Sequence, residues 1–334
     1  MTPEISGLLR EPRHVLLEAA TPLQRLHRLE AKLGRSGIHA KRDDLMPIAL
    51  GGNKLRSLEY WLGAALQKKA DILLVGGGAS SNLCRLTAAA ASLVGLDCLV
   101  LHNAPDTPEN RQASFLNTLF GAELRFLGSV DEGQRNAALA AAAAELAQRG
   151  RTPYIVGDAV LGAMGYIRAA FELHEQSQRQ ETPIRHVFLA GSMGPTEAGF
   201  IFGNALLRTP FEIHLVSVEY EQPELAGYIG RIYEGLRERT GLDVAPLSEA
   251  PLHYHMDHLG GGWGVPTPAS EAAILSFART EGILIEHVYT AKTGACFLEK
   301  LADGDIPSGE PACLLHTGGT AALFSQFGLF RTLT

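Results

Sequence analysis

Seven short apolar runs punctuate this chain: Ile72 to Val75, Cys98 to Leu101, Leu124 to Leu127, Tyr154 to Val156, Val187 to Leu189, Ile213 to Val218 and Cys313 to Leu315. Each is strand-sized, and amphipathic stretches of helix length lie between them. That βαβα rhythm limits the chain to the α/β class, with open, twisted, mainly parallel sheets and flanking helices. At 334 residues it exceeds what one core organises, so two domains sharing a cleft are expected. The turn residues Gly157-Asp158 suggest a boundary, before a long helix from about Gly165 to Gln178. The alanine-rich stretch Ala137 to Ala147 reads as a surface helix.

Composition removes several function classes. Hydrophobic residues at 46% supply a core, while a net charge of -7 opposes binding to phosphate backbones, so nucleic acid is not an expected partner. No apolar stretch reaches membrane-spanning length, and charges through the first thirty residues, Glu4, Arg10, Glu11, Arg13 and Glu18, break up any signal-peptide core. Cys84, Cys98, Cys296 and Cys313 form no CxxC pair, which fits a reducing cytoplasm.

Glycine-rich turns follow three of the runs, at Gly76 to Gly78, Gly191 to Gly194 and Gly318 to Gly319, where open parallel sheets bind ligands. The first resembles a dinucleotide fingerprint but fails it. Ser81 replaces the third glycine, and Asp97 precedes the next strand when the ribose-binding acid should follow it. Ser80, Ser81 and Asn82 stand at a helix start, able either to cap it or to face a ligand. In Gly191-Ser192-Met193-Gly194-Pro195-Thr196, glycines free backbone N–H groups and two hydroxyls stand at a helix N-terminus. This makes a cradle for a small monophosphate, or a tight connection capped by Thr196; without a lysine it is no P-loop.

One further motif is a lysine in an awkward place. Gly51-Gly52-Asn53-Lys54-Leu55-Arg56 leads into the amphipathic run from Leu58, so Lys54 sits at a helix start, where the dipole disfavours cations. A neutral amine there is what a Schiff base with an aldehyde cofactor requires; the alternative is a solvated surface charge.

Together, Lys41-Arg42-Asp43-Asp44, Ala49 to Lys54, Ser81-Asn82 and Gly262-Trp263-Gly264 resemble the D-cysteine desulfhydrase and 1-aminocyclopropane-1-carboxylate deaminase family, among the tryptophan synthase β-like, fold type II pyridoxal phosphate enzymes. The resemblance runs from about Thr21 to Gly319. It implies pyridoxal 5'-phosphate in an interdomain cleft, a large domain of residues 1–55 plus 158–334, a small domain of residues 56–157, a small amino acid substrate and a homodimer. It makes Lys54 the Schiff-base lysine, Asn82 the partner of the cofactor's ring oxygen and Ser81 the serine that contacts the substrate carboxylate. Gly191, Ser192, Met193, Gly194 and Thr196 would hold the phosphate. Tyr289 would act beside the ring, and Ser80, Trp263 and Tyr289 would border the substrate.

Thr290 and Thr317 point to the desulfhydrase branch, since the deaminases carry a glutamate at the first position and lack the second threonine. A neutral hydroxyl from Thr317 at the pyridine nitrogen would favour rapid β-elimination over ring opening. The implied activity is α,β-elimination from a small β-substituted amino acid, D-cysteine first, with β-replacement or racemisation as alternatives. The chain departs from the family at Ser80, Leu83, Trp263 and Ser57, where glutamine, histidine, tyrosine and lysine are usual. His253-Tyr254-His255-Met256-Asp257-His258 is expected near the cleft mouth, with His255 or His258 replacing the histidine absent at position 83. Read as a strand, the cluster could instead serve a metal-dependent hydrolase, though no HExxH spacing accompanies it, and no metal site is assigned.

Overall fold

The computed structural model describes residues 11–326, 328 and 330. The expectation drawn from the first thirty residues rests partly on residues 1–10, outside that range. β1 (Leu23–Arg25), β2 (Ile38–Arg42), β7 (His186–Gly191), β8 (Glu212–Ser217), β9 (Leu252–His255) and β10 (Ala312–His316) form one sheet in the order β1-β2-β10-β7-β8-β9. Only the β1–β2 pair is antiparallel. β3 (Ile72–Gly77), β4 (Asp97–His102), β5 (Glu123–Phe126) and β6 (Pro153–Ile155) form a wholly parallel second sheet, ordered β5-β4-β3-β6. The α/β class with mainly parallel sheets is therefore the fold.

Strand alternation decides what each face of the larger sheet meets. Val187, Leu189, Ile213 and Leu215 share one continuous core with Leu73, Val75 and Val100 of the smaller sheet. Between the sheets lie α2 (Lys54–Gln67), α7 (Ala159–Arg179) and α8 (Pro195–Leu206). Phe188, Val216 and Leu314 point the other way, toward α1 (His27–Leu33), α10 (Pro268–Glu281) and α11 (Thr290–Ala302). α3 (Asn82–Val94) packs on β3 and β4, and α4 (Pro108–Ala113) and α5 (Phe115–Leu119) link β4 to β5. α6 (Glu132–Gln148) buries only Leu139 and Ala142, as a surface helix should, and α9 (Gln222–Thr240) packs on α8.

α7 begins at Ala159, not near Gly165, because Gly162 and Gly165 are close-packing positions inside a helix. A Cβ on Gly162 would lie 2.4 Å from the Trp61 ring, and one on Gly165 2.3 Å from the Arg56 carbonyl oxygen. These glycines let α2 and α7 touch backbone to side chain. The start of α2 is also tied down by charge. Arg56 donates to both oxygens of the fully buried Asp43 and to Glu172, whose carboxylate also receives the Lys41 amine.

Candidate active site

Three strand ends converge on the first turn of α2. Asn53, just ahead of Lys54, donates its backbone N–H to the Thr317 carbonyl at 2.9 Å and its side-chain amide to Thr196 Oγ1 at 2.9 Å. The lysine turn is thus bonded to the loop after β10 and to the first turn of α8. Close approach explains the glycines: a Cβ on Gly318 would stand 2.6 Å from the Gly52 Cα, and both residues have positive φ. Arg85 of α3 closes the third side, donating to the carbonyls of Ala49 at 3.0 Å and Gly51 at 3.2 Å and to Asn82 Oδ1 at 2.8 Å. With its oxygen so engaged, Asn82 keeps its amide N–H groups for the cleft.

Lys54 has no hydrogen-bond or ion-pair partner among the described residues. Burial lowers the proton affinity of its amine, and the charge of Glu197 partly restores it. Ser81 caps α3, its Oγ accepting the Cys84 N–H at 3.3 Å, so its hydroxyl hydrogen remains a donor; Ser80 is exposed. Gly191 ends β7, Gly194 caps α8 with φ of 97°, and Met193 is exposed at the turn's tip. Tyr289 stands at the N-cap of α11, where Trp263 Nε1 donates to its oxygen at 3.1 Å. Burial raises the phenol's pKa, keeping its proton at neutral pH.

Hydrogen bonds through Asn53 and Arg85 therefore link the Lys54 turn to Asn82, Thr196 and Thr317, while Tyr289, paired with Trp263, lies within electrostatic reach of Glu197 at the start of α8. The residues suit pyridoxal phosphate by their chemistry: an unbonded amine at Lys54, a glycine turn at a helix N-terminus, an oriented amide at Asn82 and a hydroxyl at Thr317. Supporting residues escaped sequence reasoning, among them Asn53, Arg85, Glu197 and Glu286. Glu286 is buried and accepts the N–H groups of Val288, Tyr289 and Thr290 at 2.7, 2.9 and 3.1 Å, fixing the turn that carries Tyr289. An acid three residues before the tyrosine was the available signal.

The histidine cluster lies elsewhere, which corrects its placement at the cleft mouth. His253 and His255 share a face of β9 with His214 of β8 and His186 of β7, the face occupied by Phe188 and Val216. His186 and His214 approach at 3.0 Å, His214 and His255 at 2.9 Å, and His186 reaches Glu310 at 2.6 Å. His253 meets Glu212 at 3.0 Å, and His258 is buried 3.5 Å from Glu299. Asp257 falls beyond the strand, so the three-on-one-face reading fails. No group of three His, Cys, Asp or Glu residues among the described residues is arranged to hold a metal ion.

Two open, mainly parallel sheets with flanking helices define a fold type II pyridoxal phosphate enzyme. The chain belongs to the pyridoxal-phosphate dependent enzyme family, whose model matches residues 15–318. It is 35% identical to a D-cysteine desulfhydrase of Serratia proteamaculans (strain 568) over 326 residues, covering 95% of this chain and 97% of the relative. A crystal structure of an ACC deaminase homologue superposes with a TM-score of 0.89 at 28% identity, over 100% of both chains. A fungal L-serine ammonia-lyase from Rhizomucor miehei shares the fold at a TM-score of 0.64 and 18% identity, over 94% of this chain and 98% of that one.

Proposed function

We propose that this pyridoxal-phosphate dependent lyase eliminates the β-substituent of a small amino acid, with D-cysteine as substrate. The carrying observation is the unbonded Lys54 amine, of lowered proton affinity, on a turn that Asn53 ties to Thr196 and Thr317 and Arg85 ties to α3. The desulfhydrase name of the relatives supports the choice of D-cysteine. Pyridoxal phosphate, when bound, supplies the electron sink that lets a Cα proton leave. Lys54 would hold the cofactor's aldehyde carbon, the turn from Gly191 to Thr196 its phosphate, Asn82 its ring oxygen and Thr317 its ring nitrogen.

The remaining roles follow from proton positions. Lys54 takes the Cα proton at Nζ, since burial favours its neutral form. Ser81 Oγ, which accepts the Cys84 N–H, orients the substrate carboxylate by turning its hydroxyl hydrogen from the Cys84 sulfur to the substrate. Tyr289 receives the Trp263 N–H and keeps its own proton, which can pass from Oη to the departing sulfur. The C–S bond breaks with its electron pair on sulfur; with one water consumed, the products are hydrogen sulfide, pyruvate and ammonia.

The large domain of residues 1–55 plus 158–334 and small domain of residues 56–157 are proposed as the walls of this cleft, supported by the separate sheets in each. A cytoplasmic homodimer is proposed with them. Four buried, unpaired cysteines support a reducing compartment, and no helix among the described residues is long and apolar enough to cross a membrane. The test is product analysis with D- and L-cysteine. Sulfide and pyruvate in equal amounts from D-cysteine support the reading; pyruvate from neither enantiomer, or inversion of the amino acid in its place, overturns it.

A further inference from the structure

The phosphate turn contains an acid that the proposed mechanism leaves unused. Glu197 lies in the first turn of α8 and is 3% exposed. Its Oε1 accepts the Ser192 N–H at 2.5 Å, and the N–H groups of Gly194 and of Glu197 itself also face the carboxylate. These donors belong to the turn read above as the phosphate cradle, and Pro195 contributes none. Ser192 Oγ is spent on a second acid, donating to Glu219 at 2.6 Å. The facing charges are few: Lys54 is the cation opposite Glu197, and the Tyr289 phenol feels both Glu197 and Glu219. The chain thus seats its own buried anion where a phosphate dianion is to sit.

Two anions cannot share a buried turn that offers so few donors without a proton between them. We propose that Glu197 is a carboxylate while the cradle is free and takes a proton when a phosphate monoester enters. Cofactor binding then consumes a proton from solvent, placed on the Glu197 carboxyl, which turns from a competitor for the loop's N–H groups into a donor to a phosphate oxygen. Burial already raises the proton affinity of Glu197, in the same direction. The inference rests on reading residues 191–196 as the phosphate turn. By linkage, affinity for the cofactor weakens as pH rises.

Calorimetric titration of the cofactor-free protein with pyridoxal phosphate, in buffers of different ionisation enthalpy at about pH 8, where the monoester is a dianion, counts the protons. The wild type should take up about one proton more than Glu197→Gln, and its affinity should fall by up to roughly tenfold per pH unit above neutrality, while the variant's falls less. Pyridoxal, which lacks the phosphate, should abolish that extra proton in the wild type. Equal proton counts for the two proteins, or for the two ligands in the wild type, overturn the proposal. The pyridoxal comparison uses the wild type alone, so it decides the matter even where the variant fails to fold. A wild type that binds no pyridoxal phosphate at all instead defeats the cofactor reading beneath it.

Discussion

Asp43→Asn is the sharpest test of how the lysine is held. Asp43 is fully buried and accepts four hydrogen bonds: Thr21 Oγ1 at 2.7 Å, Arg56 at 2.8 and 2.9 Å, and the Tyr166 hydroxyl at 2.6 Å. With Glu172 it balances Lys41 and Arg56 across β2, α2 and α7. The asparagine leaves one cation uncompensated in the interior, a loss of about 3–5 kcal/mol. Burial alone would raise the carboxyl's pKa, but the charge and hydrogen bonds of Arg56, with Lys41 and Tyr166, outweigh it and hold it at about 2, below the ordinary 3.8. A depressed pKa stabilises the fold above the unfolded value and loses that contribution as pH falls through the folded one, here about 2 kcal/mol between roughly pH 4 and 2. Urea unfolding of the cofactor-free protein, followed by tryptophan fluorescence, should therefore show a gap between wild type and variant that narrows over that acid window. A gap under about 1 kcal/mol at neutral pH, or one indifferent to acid, would refute the reasoning.

Three further outcomes are expected. Tyr289→Phe should retain the cofactor but lose about 10²-fold in kcat with D-cysteine, as for removal of a positioned proton donor; an unchanged kcat removes Tyr289 from the chemistry. Glu286→Gln should cost about 1–3 kcal/mol in denaturant unfolding, because an amide must replace a carboxylate that accepts three N–H groups. Alanine at both His255 and His258 should leave the KM for D-cysteine unchanged, since these residues pair with His214 and Glu299 away from Lys54; a several-fold rise would return them to the substrate.

Much of the architecture was readable because buried parallel strands are apolar runs: all seven runs form strands. The three that sequence missed each disguise their burial. β2, Ile38–Arg42, is buried throughout yet polar in sequence, because Lys41 and Arg42 are neutralised by partners on other elements. β1 is three residues long and sits at the sheet's edge, and β9, also an edge, alternates histidines with Leu252 and Tyr254. For the candidate site, sequence offers residues where the chemistry is local, as at Lys54, Ser81 and the turn from Gly191. It offers none where support comes from across the chain, as with Arg85 reaching Ala49 and Gly51. Closeness along the chain misled for the histidines, because β9 carries His253 and His255 onto the face opposite the shared core while Trp263 continues to Tyr289.

The central claim is that Lys54 bonds the cofactor. Purified protein given pyridoxal phosphate, reduced with borohydride and digested, should yield one labelled peptide carrying the pyridoxyl group on Lys54, and Lys54→Ala should be colourless and unlabelled. Label on another lysine, or a visible band that persists in Lys54→Ala, would contradict the account.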